Sequence, residues 1–246
     1  MHEECSGTRA HYDRFLADHY IWMAGGFDDN VEKNRRFFTA HAIAPGAFGN
    51  AIDLGAGCGF VSIPLAEAGF HVTALDFSQP MLDELRRQDP AHRIETITGD
   101  LMDFSLWKGK KPGLITCLGD TLTHLSDHEA VSALIRQCYT ELEPGGMLVL
   151  SCRDYTNEPE GTVTVIPVQR DEERVFLCRL AYGRDHVRVT DILFSHTNGT
   201  WGRMADTYRK LKVSLRQIRE WLGHAGFHID SHEDGNGLMT VIAVKA

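Results

Sequence analysis

Residues 51–76 constrain the fold more than any other stretch of the chain. Residues 51–54 form a short apolar run, Gly55-Ala56-Gly57-Cys58-Gly59 is rich in glycine, and residues 61–68 have a helical pattern. A second apolar run, residues 71–76, ends in Asp76. Glycine allows a tight turn and a close approach of ligand to a helix N-terminus, where free N–H groups point outward. A carboxylate at the end of the second strand can accept hydrogen bonds from both hydroxyls of a ribose. The stretch therefore predicts a nucleoside-binding βαβ unit.

The glycine spacing and one further acid indicate which nucleoside is bound. A dinucleotide fingerprint has the spacing G-x-G-x-x-G, whereas this chain has Gly55-x-Gly57-x-Gly59 with Asp53 just before the loop. An anion there would repel a pyrophosphate and attract the ammonium of an amino-acid tail. The segment resembles motif I, D-x-G-x-G-x-G, of the class I S-adenosylmethionine-dependent methyltransferases. The resemblance implies S-adenosylmethionine as the cofactor.

Composition excludes several other classes of protein. The chain has 246 residues, of which 43% are hydrophobic, enough for one sizeable α/β core. No stretch approaches 18 uninterrupted apolar residues, and Met1-His2-Glu3-Glu4 is unlike a signal peptide. The net charge of −9 and the lack of a Lys/Arg stripe argue against nucleic acid or a membrane as partner. The six cysteines and 13 histidines show no metal-ligand spacing, so we expect no metal and a cytoplasmic protein with reduced thiols.

The chain divides into four expected parts within a single methyltransferase domain. Residues 1–46 form a helical cap, 47–154 the cofactor-binding core, 155–212 an antiparallel β insertion, and 213–246 a C-terminal helix and hairpin. Apolar residues in the cap recur at three- and four-residue steps, which is typical of a helix; they are Tyr12, Phe15, Leu16, His19, Tyr20 and Met23. A second helix is expected over residues 29–42. The tyrosine-rich stripe is either ordinary core or a lid over the cofactor and acceptor.

The remaining pattern predicts a Rossmann-like class I methyltransferase fold. Its sheet is mostly parallel and seven-stranded, with helices on both faces. Ser78, Ser126 and Ser214 are expected to cap helices. Alternating residues between 161 and 211, with a hairpin signal at Asn198-Gly199, predict the antiparallel insertion over the carboxyl ends of the main strands.

Ligands bind at the carboxyl ends of the strands in open α/β sheets, so the candidate residues cluster there. By resemblance to the methyltransferases, Asp100 would accept a hydrogen bond from the adenine amine. The predicted cofactor-binding residues are Asp53, Gly55, Ala56, Gly57, Gly59, Asp76, Phe77, Met81, Asp100, Leu101, Leu118 and His124. The predicted catalytic residues are Tyr20, Asp120 and Arg153.

Two segments resemble more narrowly the glycine and glycine/sarcosine N-methyltransferases. Residues 118–125, LGDTLTHL, are similar to L-G-N-S-F-x-H-L, and residues 151–155, SCRDY, are similar to the R-N-Y segment. The resemblance implies that Arg153 holds a substrate carboxylate. Asp120 and Asp154 stand where that family has asparagine, so glycine itself is not implied as the acceptor. Asp120 is expected instead to attract a more cationic amine.

The resulting hypothesis is methyl transfer to a small molecule, with N-methylation of a carboxylate-bearing amine as its narrower form. Methylation of oxygen or carbon in another small metabolite stays open, as does a non-catalytic protein that binds S-adenosylmethionine. A nicotinamide-dependent oxidoreductase is disfavoured by the failed G-x-G-x-x-G spacing and by Asp53. The expected partner is a small-molecule acceptor, and the sequence leaves a homo-oligomer open.

Overall fold

The structure, a computed structural model, describes residues 7–235 and 237–246. The expectations for Met1–Glu4 and Cys5, and that for Asn236 in the final hairpin, lie outside the described residues. Eleven strands form two sheets among these residues, one of seven strands and one of four.

The seven-stranded sheet has the order β10-β11-β5-β4-β1-β2-β3. Strands β1 to β5 are parallel, and β11 runs antiparallel to both β5 and β10. The central strands are apolar and buried because helices cover both faces of a parallel sheet. The strand bounds are β1 Asn50–Leu54, β2 His71–Asp76, β3 Ile94–Thr98, β4 Leu114–Cys117, β5 Met147–Arg153, β10 Phe227–Gly235 and β11 Leu238–Lys245. This arrangement confirms the predicted fold class.

Helices cover the two faces of this sheet, and their caps differ in part from expectation. Ser214 makes the predicted capping box with Gln217. Asp127, rather than Ser126, caps α6, where it accepts a hydrogen bond from Ala130 N. Ser78 is the N-cap residue of α5, but its hydroxyl donates to Asp13 instead of bonding its own helix. The helix bounds are α1 Thr8–His11, α2 Tyr20–Met23, α3 Phe27–Ala40, α4 Ser62–Glu67, α5 Gln79–Gln88, α6 His128–Glu141 and α7 Leu215–Ala225.

The predicted insertion is the separate four-stranded antiparallel sheet, with the order β6-β7-β8-β9. A two-residue turn at Asn198-Gly199 joins β8 to β9, and both residues have positive φ, as such hairpins require. The strand bounds are β6 Val163–Arg170, β7 Arg174–Tyr182, β8 His186–Thr197 and β9 Thr200–Leu211. The inner face carries the buried side chains of Phe176, Leu180, Val187, Val189 and Tyr208.

The N-terminal segment, residues 8–23, lies between the two sheets and is less regular than the sequence predicts. A π-helical turn at Tyr12–Leu16 and a 3₁₀ turn at Ala17–His19 separate α1 from α2. The second predicted helix begins and ends two residues earlier than expected, at Phe27 and Ala40. Phe15 packs on Phe176 of the insertion, so this segment holds to the second sheet through aromatic contacts.

Candidate active site

A cavity of about 570 Å³ opens at the carboxyl ends of the parallel strands. Its volume lies within the range of about 300–1,000 Å³ that small-molecule sites occupy. The N-terminal segment, the loops after β1, β2 and β4, and the inner face of the insertion all line it. Of the predicted site residues, those that line the cavity are Tyr20, Gly55, Gly57, Asp76, Phe77, Met81, Leu101, Leu118, Asp120, His124 and Arg153.

The glycine loop and Asp76 form one end of this cavity. The carboxylate of Asp76 accepts a hydrogen bond from Gly57 N at 2.9 Å and another from Ser78 N at 2.8 Å. Burial raises the pKa of Asp76 to about 6, against the opposing effect of those two backbone donors. A carboxylate fixed in this way keeps lone pairs for two further donors, as the two hydroxyls of a ribose require.

The space for a ligand beside Asp76 depends on Gly55. Gly55 has φ +77°, and a Cβ on it would lie 2.3 Å from Cγ2 of Thr121. Side chains of Phe77, Met81 and Leu101 supply apolar walls next to the carboxylate. This set of groups, a buried carboxylate beside apolar side chains, fits an adenosine.

Four predicted cofactor residues do not line the cavity. Asp53 is buried behind the loop, where it accepts hydrogen bonds from Ser62 Oγ at 2.6 Å and Thr116 Oγ1 at 2.9 Å. Asp53 therefore contacts its own chain rather than the cavity lining, and its contact with an ammonium stays a prediction. Ala56 and Gly59 are also buried in the loop. Asp100 is exposed and accepts a hydrogen bond from Met102 N at 2.9 Å.

Asp120 stands at the other end of the cavity, but its charge is already paired within the chain. Lys210 Nζ and Tyr155 Oη donate to Oδ2, the latter at 2.7 Å, and Arg153 N donates to Oδ1 at 3.0 Å. Burial favours the neutral acid, yet the Lys210 ammonium outweighs it and keeps the pKa of Asp120 below its usual value. In this structure the ammonium nearest Asp120 is that of Lys210, and the expected attraction of Asp120 for a substrate amine stays a prediction.

Lys210 itself stays cationic. Its side chain is 11% exposed, and burial would lower its pKa, but Asp120 holds the pKa above its ordinary value. Lys210 Nζ lies 5.8 Å from the ring centre of Tyr155 and 5.9 Å from that of Tyr208. Both rings present π-electron density to the cation, so the ion pair is supported by Tyr208 of β9 and by Tyr155 in the loop after β5.

Tyrosines and one histidine surround the space between Asp76 and Lys210. Tyr12 Oη lies 3.2 Å from His124 Nε2, and Tyr20 stacks on Phe60. Burial, reinforced by the Lys210 charge, lowers the pKa of His124 to about 3, so its imidazole is neutral at physiological pH. Its Nδ1 is buried and has no hydrogen-bond partner among the described residues. Burial raises the pKa of both Tyr12 and Tyr20, which keeps these phenols protonated.

A second buried charge cluster ties the N-terminal segment to the insertion. His11 is fully buried, with Nε2 at 3.0 Å from Asp191 Oδ2 and Nδ1 at 3.0 Å from Asp206 Oδ2. Each ring nitrogen thus lies within hydrogen-bond distance of a different carboxyl group. The ring of His11 stacks on Tyr208 at 4.3 Å between centroids. Asp191, which lines the cavity, is therefore engaged by His11.

Sequence reasoning missed Lys210 and Asp191, which lie on β9 and β8 of the insertion. Their strands were identified by alternation of apolar residues, and that pattern treats a charged residue as solvent-facing. Lys210 shares a face with the aromatic Tyr208, two positions earlier, which is the one local signal that it points inward.

Comparisons with known proteins agree with this architecture. Residues 51–146 match the family described as a methyltransferase domain. The chain is 25% identical over 184 residues to the putative methyltransferase YqeM of Bacillus subtilis, covering 74% of each chain. It is 29% identical over 151 residues to the glycine/sarcosine N-methyltransferase of Halorhodospira halochloris, covering 58% of this chain and 56% of that one. The solved CcbJ methyltransferase of Streptomyces caelestis superposes with a TM-score of 0.80 at 23% identity, covering 96% of this chain and 98% of that one.

The fold is that of the class I methyltransferases, and residues 51–146 match a methyltransferase domain. The protein is an S-adenosylmethionine-dependent methyltransferase, and part of its sequence is similar to a glycine/sarcosine N-methyltransferase. Among the described residues, no group of His, Cys, Asp and Glu is placed to hold a metal ion. No helix in the described ranges is long and apolar enough to cross a membrane.

Proposed function

We propose that this enzyme methylates the amino group of a small molecule. The end of the cavity that holds Asp120, Lys210 and Arg153 is the acceptor end. The observation that carries this proposal is that the titratable groups there are either paired or weakly basic. His124 has a pKa of about 3, Asp120 is paired with Lys210, and Asp191 is paired with His11. None of these groups is suited to remove a proton from a hydroxyl. An amine needs only to be in its neutral form to attack, so it can react without a strong base.

The cofactor would supply an electrophilic methyl group, and the residues of the chain would orient the two reactants. In this proposal Asp76 binds the ribose hydroxyls, while Phe77, Met81 and Leu101 enclose the adenine. Gly55 and Gly57 leave room for the backbone to approach the ligand. Tyr12 and Tyr20, from the N-terminal segment, exclude water from the space where donor and acceptor meet.

The similarity to a glycine/sarcosine N-methyltransferase supports nitrogen as the methyl acceptor, although the match spans only 56% of that protein. The narrower proposal is that Arg153 holds a carboxylate of the acceptor. Its side chain lines the cavity beside the Asp120–Lys210 pair. A guanidinium can meet a carboxylate with two parallel hydrogen bonds, which suits an acceptor that carries one. Asp120 then acts by fixing Lys210 and the start of the loop after β5, rather than by binding the amine.

A methyl-transfer assay with labelled S-adenosylmethionine tests the amine proposal. We expect label in small primary or secondary amines but not in alcohols of the same carbon skeleton, and a rate that rises with pH as the ammonium loses its proton. Preferential labelling of the alcohols would refute N-methylation. S-adenosylmethionine binding without label in either series would favour a non-catalytic binding protein.

The carboxylate proposal has a separate test. Amino acids should react better than their amides, and Arg153→Lys should reduce that preference because lysine does not reproduce the bidentate geometry of a guanidinium. Arg188→Lys, on an exposed part of β8, serves as the matched control. Equal reactivity of acids and amides in the parent enzyme would remove Arg153 from the acceptor site.

A further inference from the structure

We infer that the acceptor carries an aliphatic or aromatic body, which packs between the N-terminal segment and strands β6 and β7. This inference rests on the proposed amine methylation and specifies the substrate class of the same site. It starts from an apolar wall that the N-terminal segment, β6 and β7 contribute to the cavity lining. Its residues include Leu16, Met23, Ile166, Pro167, Val168 and Phe176.

An irregularity in β6 makes this wall continuous. In a regular strand, side chains alternate between faces, but Ile166, Pro167 and Val168 all line the cavity. The register with β7 shifts between Pro167 and Gln169, which marks a β-bulge that leaves Val168 unpaired. Bulges commonly redirect a side chain next to a site. Ile166 and Val168 share a face by alternation, and the irregular backbone at the bulge lets Pro167 between them line the cavity as well.

The wall extends from the cavity interior to solvent. Ile166 is 42% exposed and Val168 is 39% exposed, although both line the cavity. Gln169 Nε2 donates to Trp22 O at 3.4 Å and Arg174 lies over the ring of Trp22, so β6 and the end of α2 meet at this rim. Apolar side chains left accessible at a cavity mouth become favourable contacts once an apolar ligand covers them.

The two carboxylates of the acceptor end are already paired within the chain. Asp120 is bonded by Lys210 and Tyr155, and Asp191 is bonded by His11. Against the apolar wall, a polyhydroxylated acceptor would lose its water without gaining hydrogen bonds, which is unfavourable. An aliphatic or aromatic body does not incur this cost.

A binding series of linear amines tests the inference. Ethylamine, butylamine and hexylamine are titrated by calorimetry into the parent protein saturated with S-adenosylhomocysteine. Affinity should rise by about fourfold for each added methylene that is buried. Glucosamine should bind more weakly than hexylamine. A flat series, or tighter binding of glucosamine, would overturn the inference.

Two matched valine variants locate the contact. Val168→Asn should weaken hexylamine by about tenfold or more, because the new amide must be desolvated against the ligand without adding a charge that attracts the ammonium, and should leave S-adenosylhomocysteine affinity unchanged. Val163→Asn is the control: Val163 is 51% exposed on the same strand but does not line the cavity. Equal effects of the two substitutions would place the apolar body elsewhere and refute the assignment.

Failure of this inference is separable from failure of the amine proposal. If hexanol is methylated and hexylamine is not, with the same dependence on chain length, N-methylation is wrong and the apolar substrate class stands. If amines are methylated with no dependence on chain length, the reaction class stands and the apolar wall has no role in selecting the acceptor.

Discussion

Replacing Asp53 with asparagine measures the free-energy cost of a charge that is buried under the glycine loop. Asp53 is 1% exposed, and its carboxylate accepts hydrogen bonds from the hydroxyls of Ser62 and Thr116. Burial raises its pKa from the ordinary 3.8 to about 6, against the effect of these two donors. Asn keeps the shape and one acceptor oxygen but carries no charge.

The size and sign of the effect follow from linkage. Because the folded-state pKa is raised, the folded protein binds a proton that the unfolded chain releases, and this contribution to stability is fully present below pH 3.8. It is lost as the pH rises through about 6. A shift of roughly two pKa units corresponds to about 3 kcal/mol in total, of which about 2 kcal/mol lies between pH 4.5 and pH 8.

Urea unfolding of the parent and of Asp53→Asn at these two pH values gives the measurement. The free energy of unfolding of the variant minus that of the parent should be about 2 kcal/mol larger at pH 8 than at pH 4.5, because only the parent loses stability as Asp53 ionises. Any constant cost from an unpaired amide N–H cancels in this double difference. A difference that does not change with pH would show that Asp53 has an ordinary pKa, and the argument from burial would be wrong.

Three other substitutions address the ligand end and the ion pair. Asp76→Ala should leave the fold intact and weaken S-adenosylmethionine binding by tens-fold or more, because two charge-assisted hydrogen bonds to the ribose are lost. Calorimetry measures the affinity, and an unchanged value would exclude the ribose assignment. Lys210→Met should destabilise the protein by about 3–5 kcal/mol in urea, since Asp120 then stays buried without its partner, and adding Asp120→Asn should recover much of that loss. Gly55→Ala should lower both the melting temperature and the cofactor affinity. A φ of +77° costs alanine about 1–2 kcal/mol, and the new Cβ would clash with Thr121. Unchanged values of both would show that the loop readily rearranges.

Local sequence determined much of the fold, because its signals act over a few residues. The apolar run at residues 51–54, the glycines and the carboxylate of Asp76 follow one another along the chain, so their order alone defines the βαβ unit. The hairpin at Asn198-Gly199 was predicted for the same reason. Helix starts were less certain where two polar residues stood side by side, as with Ser126 and Asp127.

Tertiary structure decided which of the charged residues share a site. Asp120 and Lys210 are 90 positions apart, and only the placement of the insertion over the parallel sheet makes them a pair. The same is true of His11 with Asp191 and Asp206.

The amino-acid sequence by itself predicts the class of enzyme and the residues of the nucleoside-binding end of the cavity. Both follow from contiguous residues. The acceptor end combines the N-terminal segment, the loop after β4 and three strands of the insertion. Its charges, and therefore the chemistry it favours, depend on distances between segments that no local pattern specifies. Burial then sets their pKa values, as with the neutral imidazole of His124.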